Sequence, residues 1–304
     1  MARGLPSTFS IVAADPETGE VGCAVQSKYF AVGAVVPWGI AGVGAVATQA
    51  AGVAAYGRRA LELLADGLGP DEALERTLAD DDARETRQLG VVTADARAAA
   101  FTGTECNVWA GHEIGPGFAV QGNILAGPEV TAEMARAFRD SGGTLAERLV
   151  ASLEAGQAAG GDRRGQQSAA VVVERTGARL EGREGVDRVT DLRVDDHAEP
   201  IAELRRLLDI HLRWEVLRRA SGFHRPDGYE EGARILAAGL ERFGDDATIL
   251  YDLACFEALD GRRGDAVAHL RRSLELEPGY REMAAGDADF ASLAEDSEFR
   301  TLVG

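Results

Sequence analysis

The sequence predicts an α+β protein in two parts: sheets sandwiched between helical layers, then a small all-α domain. Three observations carry this expectation. Strand signals, two helix signals, more strands, two more helices and further strand signal follow one another over the first two thirds of the chain. After about residue 198 the strand signals stop and the chain reads as helical to its end. A partial repeat with the tetratricopeptide period of about 34 residues lies in that second part. The expected domains are therefore 1–198 and 199–304.

Thr8-Phe-Ser-Ile-Val-Ala-Ala14 reads as the first strand. Asp15-Pro-Glu-Thr-Gly19 reads as a turn, with proline and glycine where turns use them. Val21 to Val36 supplies a second strand, bent or interrupted near Gly33, and Ile40 to Ala47 a third. That order predicts an antiparallel meander. Leu61, Leu64 and Leu68 mark a helix over Tyr56 to Gly67, and Pro-Asp-Glu begins another over Pro70 to Leu78. Strands follow at Arg87 to Thr93, Ala98 to Thr102 and Phe118 to Gly122. Helices follow at Pro128 to Ser141 and Thr144 to Ala155, then a strand at Gln167 to Arg175. Asp191-Leu-Arg-Val-Asp-Asp-His197 gathers a histidine and three acids, but has no i, i+4 ligand pair on one face. It reads as a strand and salt-bridged linker into the helical part.

Ile201 to Arg219 is amphipathic, with Leu204, Leu207, Leu208, His211 and Leu212 along one face; His211 there reads as a partly buried core histidine. Leu250, Leu253, Ala254, Ala266, Leu270, Ser273 and Pro278 match a tetratricopeptide unit. Gly232, Leu236 and Gly239 stand 34 residues before Ala266, Leu270 and Ser273. The repeat covers about one and a half units, too few for a long solenoid. The segment reads either as an appendage for docking or dimer contacts, or as a plain bundle.

Composition narrows the classes of partner. The chain of 304 residues is 45% hydrophobic and 27% charged, a globular balance with length enough for two domains. A formal net charge of −18 argues against nucleic acid or an anionic membrane surface. There is no signal-peptide pattern at the start and no apolar run long enough to span a bilayer, so a cytoplasmic protein is expected. Cys23, Cys106 and Cys255 are odd in number and lack CxxC spacing, so neither disulfides nor structural zinc is expected, and no cofactor.

One cation is singular. Lys28 is the single lysine beside 31 arginines. A guanidinium stays protonated, whereas an ammonium is a compact charge whose pKa can be tuned. The bland alternative is a coding bias that removed lysine elsewhere. Lys28 ends the strand that returns beside Thr8. A threonine hydroxyl needs a base to become a nucleophile, and the α-amine of a first-position threonine can be that base. A nearby ammonium would lower the pKa of both groups. Thr8 and Lys28 thus form a nucleophile and tuner, provided that Met1 to Ser7 is removed.

Other candidates have structural alternatives beside them. Gly44, in Gly42-Val-Gly44, could aim backbone N–H groups at an oxyanion, or simply permit tight sheet packing. Asn123 could donate to an oxyanion, or serve as a turn asparagine. Thr48 and Gln49 could bind substrate polar groups, and Thr48 could equally cap a helix. In Gly160-Gly-Asp-Arg-Arg-Gly165, Asp162 could pair with Lys28 or orient the amine. Arg164 could hold a substrate carboxylate, or the loop could be a solvated turn. Ser27 is a substrate-contact candidate. A Ser27–Lys28 dyad is disfavoured, because adjacent strand residues point to opposite faces.

Several stretches together resemble the DUF1028 family: Thr8 to Gly19, Ala24-Val-Gln-Ser-Lys28, Ala31 to Trp38, Gly42 to Gln49, Ala99 to Gly103, Gln121-Gly-Asn123, Ala155 to Gly165 and Asp191 to Asp196. The resemblance covers about two thirds of the chain. It implies an Ntn-hydrolase-like fold, the four-layer αββα sandwich, and an amide hydrolase, but no substrate; a small or peptide-like amide is the expected one. Members commonly begin at or next to the threonine matching Thr8, whereas seven residues precede it here. By the same analogy a homodimer is expected, and the helical tail is expected to recruit a protein partner. The rival expectation is a non-catalytic binding protein on the same fold.

Overall fold

The computed structural model describes residues 8–178 and 186–304. The expected removal of the leader, residues 1–7, lies outside them. The chain divides into two compact units, one ending at Leu208 and the other spanning Asp209–Gly304.

The first unit is mixed α/β, with two antiparallel sheets. β1 (Thr8–Asp15) and β2 (Glu20–Ser27) form a hairpin whose turn ends on Gly19 at φ +71°, a conformation glycine adopts without strain. A 3-10 turn at Val32–Ala34 leads to β3 (Pro37–Ile40) and β4 (Gly44–Ala50). Helices α1 (Ala55–Ala65) and α2 (Pro70–Leu78) follow, α2 opening on a proline whose missing N–H costs nothing there. Next come β5 (Arg87–Thr93), β6 (Ala98–Thr102), β7 (Gly111–Gly115) and β8 (Phe118–Asn123). α3 (Glu129–Asp140) and α4 (Leu145–Ala158) precede β9 (Ser168–Arg175) and β10 (Arg188–Val194). A reciprocal capping box between Thr144 and Glu147 fixes the start of α4.

The larger sheet has the order β10-β9-β2-β1-β8-β7 and the smaller β3-β4-β5-β6. The expected continuous meander is therefore corrected. β1 and β2 do pair, but β8 and β9 flank them, and β3 and β4 belong to the other sheet. The apolar run Ile40 to Ala47 is not one strand but the hairpin between β3 and β4, turning through Gly42 at φ +73°. β4 is buried along its whole length, so its apolar run carries no alternation to betray the sheet it joins. β7 was not anticipated: Gly-His-Glu-Ile-Gly at the edge of a sheet is short and half polar, and reads as a loop.

The two sheets face each other across a core that includes Val12, Cys23 and Val25 on one side and Ala45, Ala47 and Val92 on the other. α1 and α2 cover the smaller sheet, with Leu61, Leu64, Leu74 and Leu78 against Val46, Leu89 and Val91. α3 and α4 cover the larger sheet. A Cβ on Gly22 of β2 would stand 2.8 Å from Leu149 of α4, and the rings of Phe118 and Phe138 are 5.0 Å apart. Thr8, Ser10, Val12 and Ala14 share one face of β1, and Val12 and Ala14 lie in the core between the sheets. The first two residues on that face thus look into the sandwich at one end.

α5 (Pro200–Ser221) carries the chain across the division between the units. The second unit is helical: α6 (Tyr229–Phe243), α7 (Ala247–Leu259), α8 (Arg263–Leu276), α9 (Tyr280–Gly286) and α10 (Ser297–Val303). Small residues of this unit sit in close helix contacts. A Cβ on Gly232 would stand 2.2 Å from the Phe256 ring, and Ser273 Oγ donates to Ala247 O at 2.8 Å. His211 is partly buried, with Nε2 3.9 Å from Glu215. No helix among the described residues is long and apolar enough to cross a membrane.

Candidate functional site

Four neighbouring strands present polar side chains in one row at the end of the larger sheet. Thr8 is paired with Ser27 on one side and Asn123 on the other, and Ser27 with Ser168. All four are buried. Such a row in a sheet interior needs internal partners, because an unmade hydrogen bond there costs about 1–3 kcal/mol. Thr8 Oγ1 donates to Ser27 Oγ at 3.2 Å. Ser168 Oγ donates to Tyr29 O at 2.5 Å and accepts from the Val32 N–H at 3.1 Å.

A second layer of amides joins the two sheets. Gln49 Nε2 donates to Gln88 Oε1 at 2.8 Å, to Gln121 O at 3.3 Å and to Thr8 O at 3.4 Å. Ser10 Oγ donates to Gln49 Oε1 at 2.7 Å and accepts from Gln121 Nε2 at 2.6 Å. Asn123 Nδ2 donates to Gln88 Oε1 at 2.9 Å. Gln88 Nε2 donates to Gly122 O at 2.8 Å and to Thr102 Oγ1 at 3.0 Å. Thr102 Oγ1 lies 2.8 Å from His112 Nδ1. Burial lowers the His112 pKa below that of a free imidazole.

The predicted residues do not all meet. Thr8, Ser27, Gln49 and Asn123 are brought together as just described. Lys28 reaches the next position but not the Thr8 hydroxyl. Its ammonium is exposed and donates to Gln166 O at 3.0 Å, while its main-chain N–H donates to Asp162 Oδ2 at 3.1 Å. Ser27 takes the inward place, and its sequence neighbour looks away from it. Asp162 is buried and holds its own loop, accepting the Arg164 N–H at 2.8 Å and pairing with the Arg164 guanidinium at 3.2 Å. Thr48 does not cap a helix by side chain; its hydroxyl donates to Val53 O at 3.3 Å.

Gly44 is corrected. It begins β4, opposite Ile40 and Thr93, whereas Gln49 sits near the other end of that strand, roughly 17 Å away at ~3.4 Å per residue. It cannot serve the Thr8 hydroxyl. Its lack of a Cβ allows close packing, since a Cβ there would stand 2.2 Å from Val92 O and 3.1 Å from Leu64.

Ser10, Gln88, Gln121 and Ser168 were missed. Each is a polar residue in an otherwise apolar strand, which was the available signal; only the tertiary structure showed that Ser10, Gln121 and Ser168 lie in the larger sheet and that Gln88 faces it from the smaller one.

A cleft of about 390 Å³ adjoins this end of the sandwich. It is lined by Tyr29, Val32, Val35, Val36, Thr48, Gln49, Ala50, Ala51, Gly52, Ala54 and Arg87. Gln49 lines the cleft and also holds the Thr8 carbonyl, so cleft and threonine share that side chain. Ala50 and Ile124, directly after Gln49 and Asn123, have φ of +66° and +53°. Left-handed non-glycine residues are uncommon and cluster where a structure constrains its chain tightly. Among the described residues no group of three or more His, Cys, Asp or Glu could hold a metal ion.

The pattern of a family of unknown function, DUF1028, matches residues 8–204. The chain belongs to the DUF1028 family. The match begins at Thr8, the residue that opens β1 and heads the polar row. A crystal structure of a DUF1028 protein, SPO2555 from Silicibacter pomeroyi, is similar to this chain. It shows 34% identity over 66% of this chain and 88% of that one, at a TM-score of 0.60. No curated protein matches. Membership in DUF1028 names no reaction, so the chemistry is argued from the site.

Proposed function

We propose that this DUF1028 protein is an Ntn-type amidohydrolase that cleaves an amide in a small or peptide-like substrate, with Thr8 as nucleophile after removal of residues 1–7. The observation that carries the reading is the placement of Thr8. It is the first residue of a central strand, its hydroxyl is held by Ser27 inside the sandwich, and its carbonyl is held by Gln49 at a cleft. Among the described residues no imidazole or carboxylate is bonded to that hydroxyl, so its own freed amine is the base the site needs. Asn123, opposite Thr8 in the next strand, is the side-chain amide this reading assigns to the developing oxyanion. The order helix pair, sheet, sheet, helix pair supports classing the first unit as an Ntn-like sandwich. Gly232, Ala266, Leu270 and Ser273 support a tetratricopeptide-like tail that binds a protein partner. Lys28 keeps its tuning role in this reading by leaving Gln166 O, an exposed bond that costs about 1 kcal/mol or less to break.

The non-catalytic binding protein is the second reading, favoured by the Lys28 ammonium lying on Gln166 instead of on Thr8. Intact mass and N-terminal sequencing separate the two. The amidase requires a chain that begins at Thr8, amide turnover that Thr8→Ala reduces by at least ~10³-fold, and Lys28→Met more damaging than Lys28→Arg at neutral pH. Full activity in a chain that keeps residues 1–7 would sink it.

A further inference from the structure

The cleft that shares Gln49 with the threonine carries information on what the site accepts. Its walls are aliphatic: Val32, Val35, Val36, Ala50 and Ala54, with Tyr29 contributing an aromatic ring. Besides the Tyr29 phenol, three polar side chains line it, and each of these three already has a partner inside the protein. The Arg87 guanidinium is paired with Asp81 through Nε at 2.8 Å and Nη2 at 3.3 Å, and Nη1 donates to Ala51 O. The Thr48 hydroxyl donates to Val53 O, and the Gln49 amide is bonded at both ends. The one cation on the wall is therefore neutralised by Asp81, and a ligand carboxylate entering the cleft would lose its hydration without gaining a counter-ion. The net charge of −18 opposes an anion further. At about 390 Å³ the cleft lies in the lower part of the ~300–1,000 Å³ range of small-molecule sites, room for one side chain and the amide next to it.

We infer that this cleft is a specificity pocket for a neutral, branched aliphatic group flanking the amide, so that the substrate class is a small aliphatic amino-acid amide or a peptide end of that kind. The inference rests on the amidase reading for the word substrate. Binding itself needs only the cleft. Gln49 then acts as the partition: one side of its role is to close the cleft, the other to hold the carbonyl of the nucleophilic residue.

The test is an NMR titration of the full chain with N-acetyl-L-leucinamide and with the α-amide of N-acetyl-L-aspartic acid, which has similar size and a free side-chain carboxylate. It is repeated on Ala54→Phe and, independently, on Val35→Trp, each of which fills the cleft from a different wall. The leucine compound is expected to bind at least tenfold more tightly than the aspartate compound, with shifts in the Val32, Val35 and Val36 methyls, and each filling variant to weaken it at least tenfold. Equal affinity for the two compounds, or unchanged leucinamide binding in both folded variants, overturns the assignment. Leucinamide binding that is blocked by the variants, without any turnover by a chain that begins at Thr8, would leave the pocket standing and remove the amidase reading. Leucinamide turnover that ignores both variants would do the reverse.

Discussion

Two glutamines of the first unit, both fully buried, should respond in opposite directions to the same substitution. Gln88 is bonded at every polar atom: its carbonyl accepts from Gln49 and Asn123, and its amide donates to Gly122 O, Gly111 O and Thr102. Gln26 is also 0% exposed, yet neither of its amide atoms has a hydrogen-bond partner among the described residues. Gln88→Leu keeps the volume but removes the acceptor that Gln49 and Asn123 share. Gln49 keeps longer bonds to Thr8 O and Gln121 O, so the loss is less than two full orphaned donors. At about 1–3 kcal/mol per buried group, the expected cost is about 3 kcal/mol. For a unit of this size that corresponds to about 6–12 °C in melting temperature. Gln26→Leu removes a polar group that is desolvated without return and should leave the melting temperature unchanged or higher. Thermal unfolding followed by circular dichroism, with urea midpoints as a check, reads both. A Gln88→Leu melting temperature within 2 °C of the parent chain (roughly 1 kcal/mol or less), or a Gln26→Leu fall as large as that of Gln88→Leu, would refute the reasoning.

Two further outcomes follow from particular residues. Burial, reinforced by Asp287 and Asp289, raises the Asp252 pKa from 3.8 to about 6, while His224 acts against it. The folded state therefore holds this proton more tightly than the unfolded chain, and stability falls as pH rises from about 4 to about 6. Asp252→Asn should stabilise the second unit by on the order of 2 kcal/mol at pH 7.5 and by almost nothing at pH 4; equal effects at both pH values would contradict this. Gly57 of α1 lies against an indole, and a Cβ there would stand 2.1 Å from Trp38 Cδ1. Helix propensity alone would make Gly57→Ala stabilising by about 1 kcal/mol, but overpacking costs about 1–3 kcal/mol. The melting temperature should drop, and a rise would show that Trp38 yields freely.

Much of the chain's local structure was legible in advance. α2, β5 and β6 have the bounds their residues implied, because proline at a helix start, leucines at helical spacing and short β-branched runs are local signals. The capping pair Thr144 and Glu147 needs only its own four-residue spacing.

What the sequence by itself determined was the helices and most of the strands, though not β7 or the break of Val21 to Val36 into β2 and a 3-10 turn, together with where the sheet-bearing part gives way to helices and that Thr8 opens the first strand with Ser27 and Lys28 returning beside it. Only the tertiary structure decided which strands are neighbours and which residues of each look inward. β8 and β9 join β1 and β2 from more than 90 residues along the chain. That pairing sets Ser168, Asn123 and Gln121 in the strands beside Ser27 and Thr8, and the facing of the two sheets brings Gln49 and Gln88 against them while leaving Gly44 at the far end of β4. The reason is physical: secondary structure is written in contacts between near neighbours, whereas a polar row across a sheet is made by register, and register is settled by long-range burial that no short stretch of sequence records.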